Sequence, residues 1–178
     1  MPRRDTAARR YAEAAFELAR DGASYDDWER DLATLARALD EPELRRLMEH
    51  PAVAFGDKER VLRQVAAGVG EQPLNLVLLM IRRGRPGAIG PMVARFRELV
   101  RRERGIALAE VRTALPLADE QRAQIVDRLH ELTGDTIEIN EVVDEALIGG
   151  IAVRIGDRLY DASVRNRLER LRARLTAV

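Results

Sequence analysis

The side chains best suited to proton transfer, nucleophilic attack or metal binding are two histidines, His50 and His130, and a short cluster of Asp157, Asp161 and Ser163. Neither histidine has a second ligand at metal spacing, and the chain has no cysteine to complete a site. That absence also removes disulfides and cysteine nucleophiles, and it suits a reducing compartment. A surface or helix-end position fits each histidine better than a metal does. Asp157, Asp161 and Ser163 have no histidine or lysine near them in sequence to activate a hydroxyl. They stand just before a helical segment, where Asp and Ser act as caps. No G-x-x-x-x-G-K-[ST] run occurs, so a phosphate-cradling loop is not expected. Gly149-Gly150 lacks the third glycine and following helix of a dinucleotide fingerprint, and it reads as a turn or a close backbone approach. The expectation is no catalytic residue, no cofactor and no metal.

Charge gives little more. The 30 basic and 30 acidic side chains cancel, which removes a global field for nucleic acid. Arg82 to Arg104 still holds eight arginines against Glu98 and Glu103, and Asp135 to Glu145 holds five acids and no base. Phe96 is the only aromatic in the arginine-rich stretch and sits on its apolar stripe, so stacking platforms for bases are missing. Two rival readings remain: a helical nucleic-acid module using Arg82 to Arg104, and a small hydrolase using Asp157, Asp161 and Ser163.

Residues 5 to 104 must position whatever the first half does, and they read as successive helices. Asp5 or Thr6 can cap the first, which runs to Arg20 with Gly22 past its end. Ser24 and Asp27 resemble a capping box ahead of Trp28, Leu32, Leu35 and Leu39, one stripe on a 3.6-residue period. Pro42 suits the first turn of a short helix with Leu44, Leu47 and Met48, and His50-Pro51 breaks it. Asp57 can cap a helix whose inner face is Val61, Leu62, Val65 and Val69, with Gly70 as its stop. Leu74 to Ile81, opened by Pro73, is apolar all round and is expected to be the central buried helix. Arg82-Arg83-Gly84 closes it. The sixth helix carries Ile89, Met92, Val93, Phe96, Leu99 and Val100.

At Gly105 the period changes. Ile106 to Ala114 alternates as a strand does. Pro116 and Asp119 open a helix with Ile125, Val126, Leu129 and Leu132 inside and Gly134 as its stop. Ile137, Ile139 and Val143 suggest a second strand. Ile151 to Ile155 and Arg158 to Tyr160 flank the hairpin signal Gly156-Asp157. Val164, Leu168, Leu171 and Leu175 stripe a last helix. The expected fold is mainly α: an N-terminal six-helix bundle over residues 1–105, followed by a small α+β C-terminal unit over residues 106–178. The aliphatic core follows from 46% apolar but only 4% aromatic residues. No stretch approaches the ~20 apolar residues of a membrane span, and no signal-peptide core follows Met1, so a soluble chain is expected.

The first helix holds an ambiguity. Ala8, Tyr11, Ala12, Ala14, Ala15, Phe16, Leu18 and Ala19 cover more than the ~100° stripe a bundle helix needs. Either the helix is central in its bundle, or a second alanine-rich face forms a groove for another helix.

The C-terminal third then becomes specific. Val143-Asp144, Leu147-Ile148-Gly149-Gly150, the strand Ile151 to Ile155, the turn Gly156-Asp157, Asp161-Ala162-Ser163 and the stripe Leu168, Leu171, Leu175 resemble the signature of the delta subunit of bacterial F-type ATP synthases. The mitochondrial counterpart of that family is the oligomycin-sensitivity-conferring protein. Arg10-Tyr11-Ala12-Glu13-Ala14-Ala15-Phe16, His50-Pro51 with Lys58 and Val61-Leu62, Gly84-Arg85 with Phe96 and Leu99, and Ala109 to Leu117 resemble its other segments in order. Ala162 departs from the family's usual glycine; if the position needs φ > 0, alanine costs about 1 kcal/mol there.

The resemblance implies a non-catalytic stator subunit. Its N-terminal bundle would hold helical N-termini of the alpha subunits, with the beta subunits as further neighbours, and its C-terminal unit would meet the membrane-anchored b-subunit stalk. It implies no cofactor, no nucleic acid and no small-molecule substrate. It also implies a place on the cytoplasmic face of the cell membrane, held only through the complex. For the alpha-subunit groove the reading selects Tyr11, Ala14, Ala15 and Leu18, with Leu76, Leu79 and Met80. For the stalk it selects Val164, Leu168, Leu171 and Leu175, a stripe that can alternatively pack on the chain's own sheet.

Overall fold

Proline has no N–H to lose in the first turn of a helix, and here Pro2 begins the first one. The computed structural model describes residues 2–176, with side chains described from Thr6 to Ala173 and at Leu175. Helix α1 (Pro2–Asp21) therefore starts upstream of Asp5 and Thr6, which lie inside it. It is followed by α2 (Tyr25–Asp40), α3 (Pro42–Glu49), α4 (Phe55–Val65), α5 (Glu71–Arg82), a short 3-10 turn at Pro86–Ala88, and α6 (Ile89–Glu103). Contacts divide the chain into one unit ending at Val100 and another starting at Arg101.

The first unit is helical, and its core is drawn from stripes. Trp28, Leu32, Leu35 and Leu39 of α2 are all buried, as their period requires. Ala8, Ala12, Ala15 and Ala19 of α1 are buried at spacings of four, three and four, and a seam without side-chain bulk lets α1 approach its neighbours closely. Phe96 of α6 lies against Trp28, with ring centroids 6.4 Å apart.

Several local expectations fail for identifiable reasons. Ser24 precedes α2 but its side chain makes no cap hydrogen bond. Its backbone is used instead: Ser24 N–H donates to Ala19 O and Ala23 N–H to Arg20 O, the paired bonds of a Schellman closure of α1. The left-handed residue of that closure is Ala23 (φ 47°), one position beyond Gly22. Asp57 is inside the first turn of α4 and pairs with Arg60 at 3.1 Å, while Ala54 holds the cap position. Gly70 precedes α5 and does not end α4. Its N–H donates to the buried Asp31 carboxylate at 2.8 Å, a tie from α2 that no sequence pattern announces.

Helix α5 is largely buried, but not on every side: Gln72, Asn75, Leu79 and Arg82 form an exposed line along it. It closes as expected, with Gly84 left-handed (φ 68°) and Arg85 N–H donating to Met80 O. Past the His50-Pro51 break, the Lys58 ammonium donates to Met48 O at 2.8 Å.

The second unit is a four-stranded sheet in the order β2-β1-β3-β4. Its strands are β1 (Ile106–Thr113), β2 (Thr136–Val143), β3 (Ile151–Ile155) and β4 (Arg158–Asp161), with α7 (Asp119–Thr133) joining β1 to β2 and α8 (Val164–Thr176) last. The crossover through α7 makes β1 and β2 parallel, whereas β1–β3 and β3–β4 are antiparallel. Alternation puts Ala109, Val111, Ile137 and Val153 on the face covered by Leu129 of α7. Leu132, expected inside with them, is 62% exposed near the C-terminal end of α7. The opposite face carries Glu110, which accepts from Arg112 Nε at 2.8 Å and from Arg154 Nη2 at 2.9 Å.

Candidate docking surfaces

On α1 the buried alanine seam leaves Tyr11, Ala14 and Leu18 on one outward stripe at i, i+3, i+7. Tyr11 is half-buried, Ala14 is exposed, and Leu18 is 45% exposed. Helix α5, which packs against α1, adds Leu79 at 42% exposure. These four selected residues offer apolar atoms to a partner. The other three do not: Ala15 and Met80 have no exposed surface and Leu76 only 9%. They fill the core, because a helix face that packs on its own unit is closed to a partner. A second apolar cleft of about 430 Å³ lies between α2, α3 and α4, lined by Ala38, Leu44, Leu47, Val61 and Val65. Val65, expected on an inner face, is 52% exposed there.

In the second unit the selected stripe stands out. Val164, Leu168, Leu171 and Leu175 are 36%, 52%, 55% and 72% exposed, so the stripe does not pack on the sheet. What the sheet does hold is the start of α8. Val164 N–H donates to Gly149 O at 2.9 Å and Ala162 N–H to Ile151 O at 2.9 Å. Gly150 (φ 75°) sits so close beneath that a Cβ would lie 2.6 Å from Ala162 O, and a Cβ on Gly149 would lie 3.3 Å from Val164 Cγ2. The Leu147 to Gly150 segment is thus a seat for the first turn of α8. Ile148 within it takes φ 66°, an uncommon conformation for a β-branched residue, and is 67% exposed. Ala162 has no positive φ, so the expected penalty for lacking glycine there does not arise.

Of the would-be catalytic cluster, Asp161 and Ser163 form a cap, and Asp157 lies in the turn between β3 and β4. Ser163 Oγ accepts from Asn166 N–H at 3.1 Å, and Asp161 Oδ1 accepts from Ser163 N–H at 2.9 Å. Both hydrogen bonds from Ser163, first that of the side chain and then that of the backbone, hold the Asp161 carboxyl below its usual range. Glu110 is likewise held low by Arg112 and then Arg154. His50 Nδ1 accepts from Ala52 N–H at 3.2 Å, and His130 Nδ1 donates to Asp135 O at 2.7 Å, both at helix ends. Among the described residues no group of three or more His, Cys, Asp or Glu could hold a metal, and no helix is long and apolar enough to cross a membrane. The arginine-rich stretch is partly neutralised: Arg95 pairs with Glu98 at 2.6 Å, Arg97 with Glu29 at 3.0 Å and Arg101 with Glu138 at 3.9 Å.

Each unit thus presents exposed apolar side chains along a helix, Leu18 and Leu79 in the first and Leu168 and Leu171 in the second. The sequence model of the family described as ATP synthase delta (OSCP) subunit matches residues 7–175. The ATP synthase subunit delta of Acidiphilium cryptum is 38% identical over 166 residues, 92% of this chain and 84% of that one. The subunit delta of Caulobacter vibrioides is 38% identical over 169 residues, 93% of this chain and 92% of its own. A chain of the Toxoplasma gondii mitochondrial ATP synthase hexamer shares the fold, with a TM-score of 0.72 at 22% identity, over 96% of this chain and 98% of that chain. By its match across nearly the whole length, this chain belongs to the ATP synthase delta (OSCP) subunit family.

Proposed function

We propose that this chain is the adaptor of the stator in a proton-translocating F-type ATP synthase, holding the catalytic head still against the turning rotor. A subunit with that task needs wide passive interfaces and no active site. In this reading α1 to α6 act as one six-helix bundle that seats helical N-termini of the alpha subunits at the crown of the head, with the beta subunits alongside. The second unit meets the b-subunit stalk, and the membrane is reached only through that complex, on its cytoplasmic face. The observation that carries the reading is the pair of unpartnered apolar surfaces, Tyr11, Ala14, Leu18 and Leu79 in one unit and Val164, Leu168, Leu171 and Leu175 in the other.

The mode on the head side is a helix laid in a groove. Alanine lets a partner backbone approach, and the flanking leucines and tyrosine provide buried area. A nanomolar complex corresponds to about 12 kcal/mol, so losing a few kcal/mol is plain in a titration. The test is to titrate the protein with a peptide of the alpha-subunit N-terminus and, in parallel, to measure rebinding of heads to stripped membranes by sedimentation. Ala14→Arg or Leu79→Arg is expected to weaken peptide binding by about a hundredfold or more, as burying an unpaired charge does, with the helical spectrum unchanged. Unimpaired binding by both variants overturns the placement of this surface. Rebinding of heads without the protein overturns the adaptor role.

A further inference from the structure

Helix α8 carries an exposed apolar stripe at coiled-coil spacing. The spacing Val164, Leu168, Leu171, Leu175 is four, three, four, which places these residues at d, a, d and a of a heptad. Read in that register, both e positions are arginine, Arg165 and Arg172, and both g positions are arginine, Arg167 and Arg174. Every position that flanks the seam therefore carries the same charge. Arg170 adds another, and Glu169, paired with Arg165 at 3.1 Å, is the single acid of the helix.

The sheet seats only the first turn of α8, and among the described residues of this helix none is buried. A helix of 13 residues is at the margin of what stands alone in water. Its apolar stripe is the narrow a/d kind and carries no aromatic residue, which suits a second helix and not the broad apolar face of an interfacial membrane helix. A second copy of this chain would set arginine against arginine at e and g in either orientation. The acidic run along β2 is engaged elsewhere, Glu138 with Arg101 and Glu141 with Arg122 at 2.6 Å.

We propose that α8 pairs with one helix of a partner that presents a leucine-type a/d seam flanked by Glu or Asp, and that the arginines at e and g choose it by charge. This deepens the assignment of α8 to the stalk and rests on that reading. It makes the contact selective: the seam supplies area, while the flanking charges reject basic or self-like helices.

The probes are two synthetic peptides of about three heptads, identical at the a and d leucines, with Glu at every e and g in one and Lys in the other. The full-length protein is titrated with each at low and high salt. The Glu peptide is expected to bind and to lose about tenfold or more in affinity as salt rises, and the Lys peptide is expected not to bind. The variant Arg165→Glu/Arg167→Glu/Arg172→Glu/Arg174→Glu is expected to invert the preference at unchanged overall fold by circular dichroism. Leu168→Ala/Leu171→Ala is expected to lose the Glu peptide. Equal binding of the two peptides, binding of neither, or Glu-peptide binding that survives loss of the leucines overturns the proposal. So does a dimer in sedimentation equilibrium that the leucine substitutions dissolve, or retention on anionic phosphatidylglycerol vesicles that they abolish. A separate arm measures head rebinding to stripped membranes. If the charge-reversed protein inverts peptide choice yet reconnects heads normally, the seam stands and its assignment to the stalk falls. If reversal leaves peptide choice unchanged but blocks rebinding, the acidic-helix proposal falls and the stalk assignment stands.

Discussion

At single residues, backbone hydrogen bonding decides more here than side-chain chemistry does. Asp31 is buried and accepts from Gly70 N–H, where a Cβ on Gly70 would lie 3.0 Å from the same carboxylate. Asp31→Ala leaves that N–H without its acceptor at the start of α5, and it is expected to destabilise the first unit by about 2 kcal/mol, read as a lower denaturant midpoint at unchanged slope. Gly150 and Ala162 make a contrasting pair. Gly150→Ala combines a positive φ with a backbone clash and is expected to cost about 3 kcal/mol or more. Ala162→Gly relieves nothing, since Ala162 has no positive φ. It is expected to change stability by less than about 1 kcal/mol, in the destabilising direction through chain entropy. Thermal melts of both variants test this, and a stabilising Ala162→Gly contradicts it.

At the level of elements, α8 depends on its first turn. Ser163→Ala removes the acceptor for Asn166 N–H and is expected to cost about 1 kcal/mol, seen as fraying of α8 in hydrogen exchange before any loss in the sheet. Asp161 and Glu110 give the second unit an acid limit. Both folded carboxyls are held below their ordinary values by their hydrogen-bond donors. Their stabilisation is therefore fully present above the unfolded values, about 3.9 for Asp and 4.3 for Glu, and is lost as pH falls through the folded ones. Asp161→Asn and Glu110→Gln are expected to be less stable than the wild type at neutral pH and to converge with it as pH falls through the lowered folded values, followed by denaturant midpoints across the range. A gap that stays constant with pH would mean that these carboxylates are not the cause.

For the whole molecule, the division between units is the property to test. Contacts separate after Val100, and α6 runs three residues further, to Glu103. A fragment ending at Gly105 keeps α1 to α6 and their core, and it is expected to fold, to bind the alpha-subunit peptide with the affinity of the full chain, and to fail to reconnect heads to membranes, because α8 is missing. Peptide titration and head sedimentation on the same preparation check both halves. Equal rebinding by the fragment would place the stalk contact in the first unit. No phosphate-cradling loop is present in the sequence, and saturable micromolar ATP binding by calorimetry is not expected of the full chain.

Local periods, and the elements they produce, are legible along the chain. The helices, the strands with their alternation, the hairpin at Gly156-Asp157, and the Leu147 to Ser163 motif that carries the family are all statements about neighbours along the chain. Period-3.6 and period-2 patterns report such neighbours directly. Which apolar faces stay open follows from how the elements pack on one another. Leu76, Leu79 and Met80 are equally apolar in sequence, yet Leu79 is 42% exposed while Leu76 and Met80 are buried, because Leu79 lies on the exposed line of Gln72, Asn75 and Arg82. Leu168 and Leu171 form as regular a stripe as Leu32 and Leu35, yet the first pair is exposed and the second has no exposed surface. Asp31 reads as one acid among many until Gly70 arrives beside it from 39 residues away. Burial and docking belong to pairs of surfaces, and a pattern along one strand of sequence specifies only one member of each pair.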